Sequence, residues 1–120
     1  MKILVVEDER HIVRLIQVNL ERVGYEVVTA NTAQAGLSLL DVEQPEVVVI
    51  DASLPDMPGD NLARMLRQRR ARPLVILMTA KYSDAAIWRS LVGAADGYIT
   101  KPFNPLELIA LIKKLLAAAG

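Results

Sequence analysis

The segment Ile3–Glu9, with the sequence Ile-Leu-Val-Val-Glu-Asp-Glu, places a run of apolar residues directly before three acids. Similar apolar runs end at Asp51, at Thr79-Ala80 and at Lys101. Short apolar runs separated by segments of helical length are typical of parallel strands that are buried on both faces. In such sheets the ligand lies outside the carboxyl ends of the strands. The pattern therefore predicts that three acids, a hydroxyl group and a lysine meet in one crevice.

The alternation of strand and helix predicts five βα units. With right-handed connections these units give a flavodoxin-like (βα)5 fold of the α/β class. It is a three-layer sandwich with parallel strand order 2-1-3-4-5, two helices on one face and three on the other. This order places the first strand centrally, so that Glu7 and Asp8 reach Asp51. The acids then lie at the point where the strand order reverses, which is where such folds bind ligands.

Local signals predict where the helices begin and end. An apolar stripe defines the first helix, and glycine, proline or a capping side chain limits the others. The first helix is predicted over about 9–23 and the second from Asn31 or Thr32 to before Pro45. The third is predicted after Gly59, the fourth from near Ser83 to near Gly93, and the fifth from Asn104-Pro105 onward. The stripe of the first helix consists of Ile12, Leu15, Ile16, Val18 and Leu20.

Composition narrows the class of protein. A chain of 120 residues, 52% of them hydrophobic, predicts one packed domain over residues 1–120. Lysine plus arginine equals aspartate plus glutamate, at 14 each, which argues against direct nucleic-acid binding by this segment. The absence of cysteine excludes disulfides, thiolate metal sites and thiol nucleophiles. Neither a membrane span nor a signal peptide is present in the sequence, so we expect a soluble cytoplasmic protein.

The predicted acid cluster needs a compensating charge. Two of the carboxylates of Glu7, Asp8 and Asp51, placed 4 Å apart at an effective dielectric near 20, would repel each other by about 4 kcal/mol. A divalent cation with oxygen ligands would offset this repulsion. Because cysteine is absent and no histidine is near, the hard ions Mg²⁺ and Mn²⁺ are favoured. Three acids with one open side fit a metal that awaits a phosphoryl group.

The remaining groups suit phosphoryl transfer. Asp51 can act as a carboxylate nucleophile and form an acyl phosphate. Lys101 supplies a positive charge for the phosphoryl oxygens, and Thr79 can donate a hydrogen bond to one of them. The small side chain of Ala80 leaves the pocket open to a bulky donor. Catalysis of this kind consists mainly of positioning and charge neutralisation.

Four motifs together resemble the receiver domain of response regulators in two-component signalling, over the whole chain. The motifs are Ile3–Glu9, Asp51 with Leu54–Gly59, Thr79-Ala80-Lys81, and Tyr98–Phe103. The sequences Leu-Pro-Asp-Met and Tyr-Ile-Thr-Lys-Pro-Phe are most similar to those in receivers of winged-helix transcriptional regulators. The DNA-binding domain of such regulators is not contained in these residues.

The resemblance implies a signalling phosphoacceptor, not an enzyme acting on other substrates; it assists only its own phosphorylation and dephosphorylation. Asp51 would take phosphate from a histidine kinase. Asp8 would bind Mg²⁺ directly, Glu7 largely through water, and Ser53 through its backbone carbonyl. The Lys101-Pro102 peptide bond would be cis, and Thr79 and Tyr98 would move together as the switch. The face formed by the fourth helix, fifth strand and fifth helix would then control a transcriptional output domain or another partner.

The chain departs from the family pattern on that face, where related receivers commonly form homodimers through ion pairs. Asp96 remains, but Gly97 takes the place of a second acid before the tyrosine, and Leu111 replaces an arginine one turn after Glu107. Trp88 and Val92 stand where charged residues are frequent. Two interpretations stay open: an apolar face for self-association or docking, or an ordinary surface with Trp88 and Leu111 turned inward.

Several other interpretations compete with the phosphoacceptor. An aspartate-nucleophile phosphohydrolase is disfavoured because Ser53 stands where a general acid is needed. A flavin-binding module is disfavoured because the acids after the first strand would repel phosphate. A stand-alone phosphorelay shuttle and a receiver that binds partners without phosphorylation remain as alternatives. His11 is expected on the surface, and a basic run near the third helix is expected to be a solvated face. That run consists of Arg64, Arg67, Arg69, Arg70 and Arg72.

Overall fold

The computed structural model of the protein describes residues 1–80, 89 and 91–119. This part of the chain contains five strands and four helices. The strands are β1 (Lys2–Val6), β2 (Glu26–Ala30), β3 (Val47–Asp51), β4 (Leu74–Ala80) and β5 (Gly97–Lys101). The helices are α1 (Arg10–Arg22), α2 (Ala33–Glu43), α3 (Gly59–Arg67) and α4 (Pro105–Ala119). The fifth predicted helix is therefore α4, whereas most of the helix predicted from Ser83, with Trp88, lies outside the described residues.

The strands form one parallel sheet in the order β2-β1-β3-β4-β5, which confirms the predicted order and the flavodoxin-like fold. The register brings the carboxyl ends of the central strands level with one another. Val6 lies opposite Ile50, the residue before Asp51, and Ala80 lies opposite Lys101. The residues that follow or end these strands therefore meet at one edge of the sheet.

Helices cover both faces of the sheet and form two apolar clusters. On one face α1 and α4 pack against the sheet around Ile16, Leu20 and Ile112. On the other face α2, α3 and the segment 91–95 pack around Leu40, Leu62 and Leu91. Because both faces are covered, the central strands are apolar throughout rather than alternating in polarity.

The predicted stripe of α1 is only partly correct. Ile16 and Leu20 are buried, but Leu15 is 44% and Val18 is 40% exposed. Residues four apart lie on the same side of a helix, and the sheet covers only the narrow side that contains Ile16 and Leu20. The apolar character of α1 therefore extends beyond the surface that it buries.

Of the two candidates for the cap of α2, the structure selects Thr32. Its Oγ1 accepts a hydrogen bond of 3.0 Å from the Ala35 N–H, and Thr32 itself has an extended backbone. No helix in the described ranges has the length and apolar character that crossing a bilayer requires.

Candidate functional site

The three acids predicted to converge lie together at the carboxyl end of the sheet. Glu7 and Asp8 follow β1, and Asp51 ends β3. One carboxylate oxygen from each residue lies within 4.8 Å of the others. Glu7 is fully buried and Asp51 is 6% exposed, whereas Asp8 is exposed. The cluster therefore has a buried floor and one carboxylate that faces solvent.

Lys101 bridges the two buried acids from the end of β5. Its Nζ lies 2.5 Å from Glu7 Oε1 and 3.3 Å from Asp51 Oδ2. The other oxygen of Glu7, Oε2, accepts hydrogen bonds from the backbone N–H groups of Asp8, at 3.0 Å, and Glu9, at 3.2 Å. Glu7 is thus fixed by three donors, while the lysine charge is shared between two carboxylates. The peptide bond between Lys101 and Pro102 is cis.

The electrostatics of the cluster favour an additional cation. Burial and the neighbouring Asp51, opposed by the hydrogen bond from Lys101, raise the pKa of Glu7 to about 7. Burial by itself would lower the pKa of Lys101, but the hydrogen bond and charge of Glu7 and the charge of Asp51 leave that pKa raised overall. One lysine therefore does not balance the acids, and Glu7 is partly protonated near neutral pH. A divalent ion would displace that proton and occupy a set of donors that consists of oxygens alone.

The backbone after Asp51 turns back tightly onto the strand end. The Ser53 N–H donates to Asp51 Oδ1 at 3.1 Å, and the Gly59 N–H donates to the carbonyl oxygen of Ala52 at 2.8 Å. A Cβ atom on Gly59 would lie 2.1 Å from the carbonyl oxygen of Asp51, so only glycine fits there without a shift of the backbone. Ser53 is thereby held beside the Asp51 carboxylate. Its role as a metal ligand through the carbonyl group stays a prediction.

Thr79 is a buried hydroxyl at the end of β4. Its side chain is 1% exposed, and among the described residues its Oγ1 has no hydrogen-bond partner. Leaving a buried polar group unpaired costs about 1–3 kcal/mol, so an added acceptor at this position would stabilise the site. A phosphoryl oxygen would be such an acceptor. Ala80, the next residue, is exposed and lies opposite Lys101 in the sheet.

Tyr98 lies on the same face of the sheet as Thr79. It pairs with Leu77, two residues before Thr79, on the neighbouring strand. Its half-buried phenol donates a hydrogen bond of 2.8 Å to the Leu91 carbonyl and accepts one of 3.1 Å from the Ala95 N–H. The tyrosine therefore connects the sheet beside Thr79 to the segment 91–95.

Asp96, predicted as an interface residue, is engaged within the domain. Its carboxylate accepts two hydrogen bonds of 3.2 Å from Arg72 and one of 2.8 Å from the Val75 N–H. Arg67 lies 3.9 Å from the same carboxylate and donates to the Gly93 carbonyl at 2.6 Å.

The basic run is largely exposed, as expected of a solvated face, but several of its arginines also form ion pairs. Besides Arg67 and Arg72, Arg64 pairs with Asp60 and Arg69 with Asp41. Asp41 and Asp96 come from other segments of the chain, which a sequence pattern alone does not reveal, whereas Asp60 lies one turn before Arg64 within α3.

The other predicted interface residues divide between core and surface. Leu111 is half-buried, and its Cδ1 would lie 3.4 Å from a Cβ on Gly97, so it packs inward over that glycine. Val92 and Glu107 are exposed. Trp88 lies outside the described residues. The inward position of Leu111 removes one member of the predicted apolar face, and homodimerisation stays a prediction.

Asp56 is a structural residue that the sequence reasoning missed. Its Oδ1 accepts a hydrogen bond of 2.8 Å from the Ala33 N–H, and its Oδ2 accepts one of 2.9 Å from the Gln34 N–H. These bonds lower its pKa from the usual range. The sequence indicated only a turn, because the partners of Asp56 lie 23 and 22 residues away along the chain.

Comparison with known proteins gives consistent matches. A family model described as the response regulator receiver domain matches residues 3–113. The alkaline phosphatase synthesis transcriptional regulatory protein PhoP of Bacillus subtilis is 41% identical over 115 residues, covering 96% of this chain and 48% of that protein. The probable transcriptional regulator ycf27 of Cyanophora paradoxa is 40% identical over 115 residues, with the same 96% and 48% coverage.

A solved structure shows the same fold. The crystal structure of a CheY-like response regulator receiver domain protein from Methanospirillum hungatei matches with a TM-score of 0.86 at 36% identity. The match covers 98% of this chain and 94% of that chain. In contrast, this chain spans about half the length of the curated relatives.

Proposed function

Because the chain belongs to the response regulator receiver family, we propose that Asp51 accepts a phosphoryl group from the phosphohistidine of a histidine kinase. The observation that carries this proposal is the cluster itself: three carboxylates within 4.8 Å, with Lys101 contacting both buried members. An isolated structural carboxylate would not need such surroundings. A nucleophile that must receive a highly charged group does.

The transfer exchanges one bond to phosphorus for another. A carboxylate oxygen of Asp51 attacks phosphorus, the P–N bond to the kinase histidine breaks, and its electron pair returns to the imidazole. The product is an acyl phosphate on Asp51. The carboxylates of Glu7, Asp8 and Asp51 and the backbone carbonyl of Ser53 would hold Mg²⁺ or Mn²⁺. Bound there, the ion supplies charge neutralisation for the phosphoryl oxygens.

Lys101 and Thr79 complete the phosphoryl site. The ammonium group that now contacts Asp51 Oδ2 at 3.3 Å lies next to the position of the new P–O bond. The unpaired hydroxyl of Thr79 donates to another phosphoryl oxygen, and the small side chain of Ala80 leaves room for the donor. The Thr79 hydroxyl thereby gains a partner that it lacks among the described residues, and Lys101 adds a phosphoryl oxygen to its contacts with Glu7 and Asp51.

We also infer that phosphorylation switches the face around β5 and α4. Movement of Thr79 toward the phosphoryl group changes the space next to Tyr98, whose hydroxyl holds Leu91 and Ala95. Coupling of this kind is typically worth about 1–3 kcal/mol. The names of the relatives, which are transcriptional regulators, support a transcriptional output for the switched face and a cytoplasmic location for the domain.

The test is phosphorylation with a small donor. Incubation with phosphoramidate and Mg²⁺ adds one phosphate, seen by intact-mass spectrometry, and Asp51→Asn abolishes the addition while keeping the side-chain shape. Omission of the metal, by chelation, slows the reaction. Phosphate retained on the Asp51→Asn variant would assign the acceptor to another residue, and a parent protein that takes up none would overturn the proposed function.

A further inference from the structure

The loop of residues 52–58 joins β3 to α3 and carries Ser53 next to Asp51. At its base the loop is closed by backbone contacts with β4 and between its own two ends. The Ala52 N–H donates to the Met78 carbonyl at 2.8 Å, and Ser53 and Pro58 form an isolated bridge. These contacts hold the two ends of the loop, and its middle is held by a side chain.

That side chain is Asp56, whose two carboxylate oxygens accept the Ala33 and Gln34 N–H groups at the start of α2. The first N–H groups of a helix have no partner within the helix. The next N–H, that of Ala35, donates to the Oγ1 of Thr32. The loop therefore supplies two of the three side-chain hydrogen bonds that cap α2, and a negative charge at a helix N-terminus is favourable.

Helix α2 in turn rests against the strand that leads into the acid cluster. A Cβ on Gly36 would lie 3.0 Å from Val6 Cγ2, so the helix backbone lies close to the residue that precedes Glu7. Asp56 thereby joins the loop after β3 to the helix that packs on β1. The two halves of the acid cluster come from these two strands, Glu7 and Asp8 from β1 and Asp51 from β3.

We propose that Asp56 is a positioning residue for the metal and phosphoryl site: by fastening the 52–58 loop to α2, it fixes Asp51 and the Ser53 carbonyl relative to Glu7 and Asp8. It contacts neither substrate nor metal. The inference rests on the proposed function, since it assigns Asp56 a role in that reaction. Residues that support a metal site through its ligands commonly change metal affinity by about 10-fold or more.

The test compares Asp56→Ala with Thr32→Ala. Both variants remove part of the cap of α2, but only Asp56→Ala releases the loop. Calorimetric titration with Mg²⁺ is expected to give a dissociation constant about 10-fold higher for Asp56→Ala and an unchanged one for Thr32→Ala. Phosphoramidate should phosphorylate Asp51 correspondingly more slowly in the first variant at subsaturating Mg²⁺. Asp56→Asn, which keeps one acceptor oxygen, should fall between parent and Asp56→Ala, and thermal melts check that every variant is folded.

The outcomes separate the inference from its premise. Equal Mg²⁺ affinity and phosphorylation rate in Asp56→Ala and the parent would overturn the positioning role while leaving the proposed function intact. Equal losses in Asp56→Ala and Thr32→Ala would also overturn it, because the stability of α2 would then explain both. A parent protein that is not phosphorylated at Asp51 would overturn the proposed function and this role together.

Discussion

Glu7 is fully buried and accepts hydrogen bonds from three donors, and these two features shift its pKa in opposite directions. Burial disfavours the carboxylate, whereas Lys101 and the N–H groups of Asp8 and Glu9 favour it. Burial is the larger effect, so the pKa rises from 4.5 to about 7. In the folded domain without metal, Glu7 therefore holds its proton more tightly than it does in the unfolded chain.

This difference predicts how the stability of the metal-free domain depends on pH. Between pH 4.5 and about 7 the folded state binds more protons than the unfolded state, so the free energy of unfolding falls as pH rises through this window. The contribution of Glu7 is at most about 3 kcal/mol. Glu7→Gln keeps the size but cannot ionise, so its stability should depend less on pH. Urea unfolding in the presence of a chelator measures the free energy of unfolding of the parent and of Glu7→Gln at each pH. Identical pH dependence in the two proteins would contradict the assignment of the raised pKa to Glu7.

At the scale of elements, the junction of β3 with α3 sets the position of the phosphoacceptor. The first residue of α3, Gly59, lies directly against the backbone of Asp51 and Ala52. In α2, by contrast, a Cβ on Gly36 would meet the side chain of Val6 at 3.0 Å. A side chain can yield by rotation, whereas a strand end cannot move without displacing Asp51.

We therefore expect Gly59→Ala to be far more damaging than Gly36→Ala. The added methyl group should lower the free energy of unfolding by about 3 kcal/mol and slow phosphorylation at Asp51, because the strand end must shift. Gly36→Ala should cost less and leave the phosphorylation rate close to that of the parent. Denaturant unfolding and the phosphoramidate assay measure the two effects. Equal behaviour of the two variants would show that the close approach at Gly59 does not position Asp51.

Across the whole molecule, Asp96 connects segments that are distant in sequence. It links the residues before β5 to the start of β4 through Val75 and to Arg72 after α3, with Arg67 nearby. Its side chain is 13% exposed, whereas that of Asp41, which pairs with Arg69, is 80% exposed. Solvent-exposed ion pairs contribute little to the free energy of unfolding, but a carboxylate that also accepts a hydrogen bond from a backbone N–H contributes more.

The Asp96–Arg72 and Asp41–Arg69 ion pairs predict different losses of stability when their acids are substituted. Asp96→Ala should lower the free energy of unfolding by about 2 kcal/mol, because it leaves Arg72 and the Val75 N–H without their acceptor. Asp41→Ala should change it by less than about 0.5 kcal/mol. Chemical denaturation at low and high salt measures both. If Asp96→Ala lowers the free energy of unfolding no more than Asp41→Ala does, the structural role of Asp96 is wrong and the interface role expected from the sequence is favoured.

The sheet and the convergence of its polar ends could be predicted from the amino-acid sequence. Apolar runs of strand length report burial on both faces, and parallel strands must bring their carboxyl ends to one edge, so Glu7, Asp8, Asp51 and Lys101 could be placed together in advance. The contacts of Asp56 with α2, of Asp96 with Arg72 and of Leu111 with Gly97 became visible only in the folded chain. These contacts join residues from separate elements at distances of a few ångströms. Local periodicity encodes which face of an element is buried, but the partner of each side chain depends on how the elements pack.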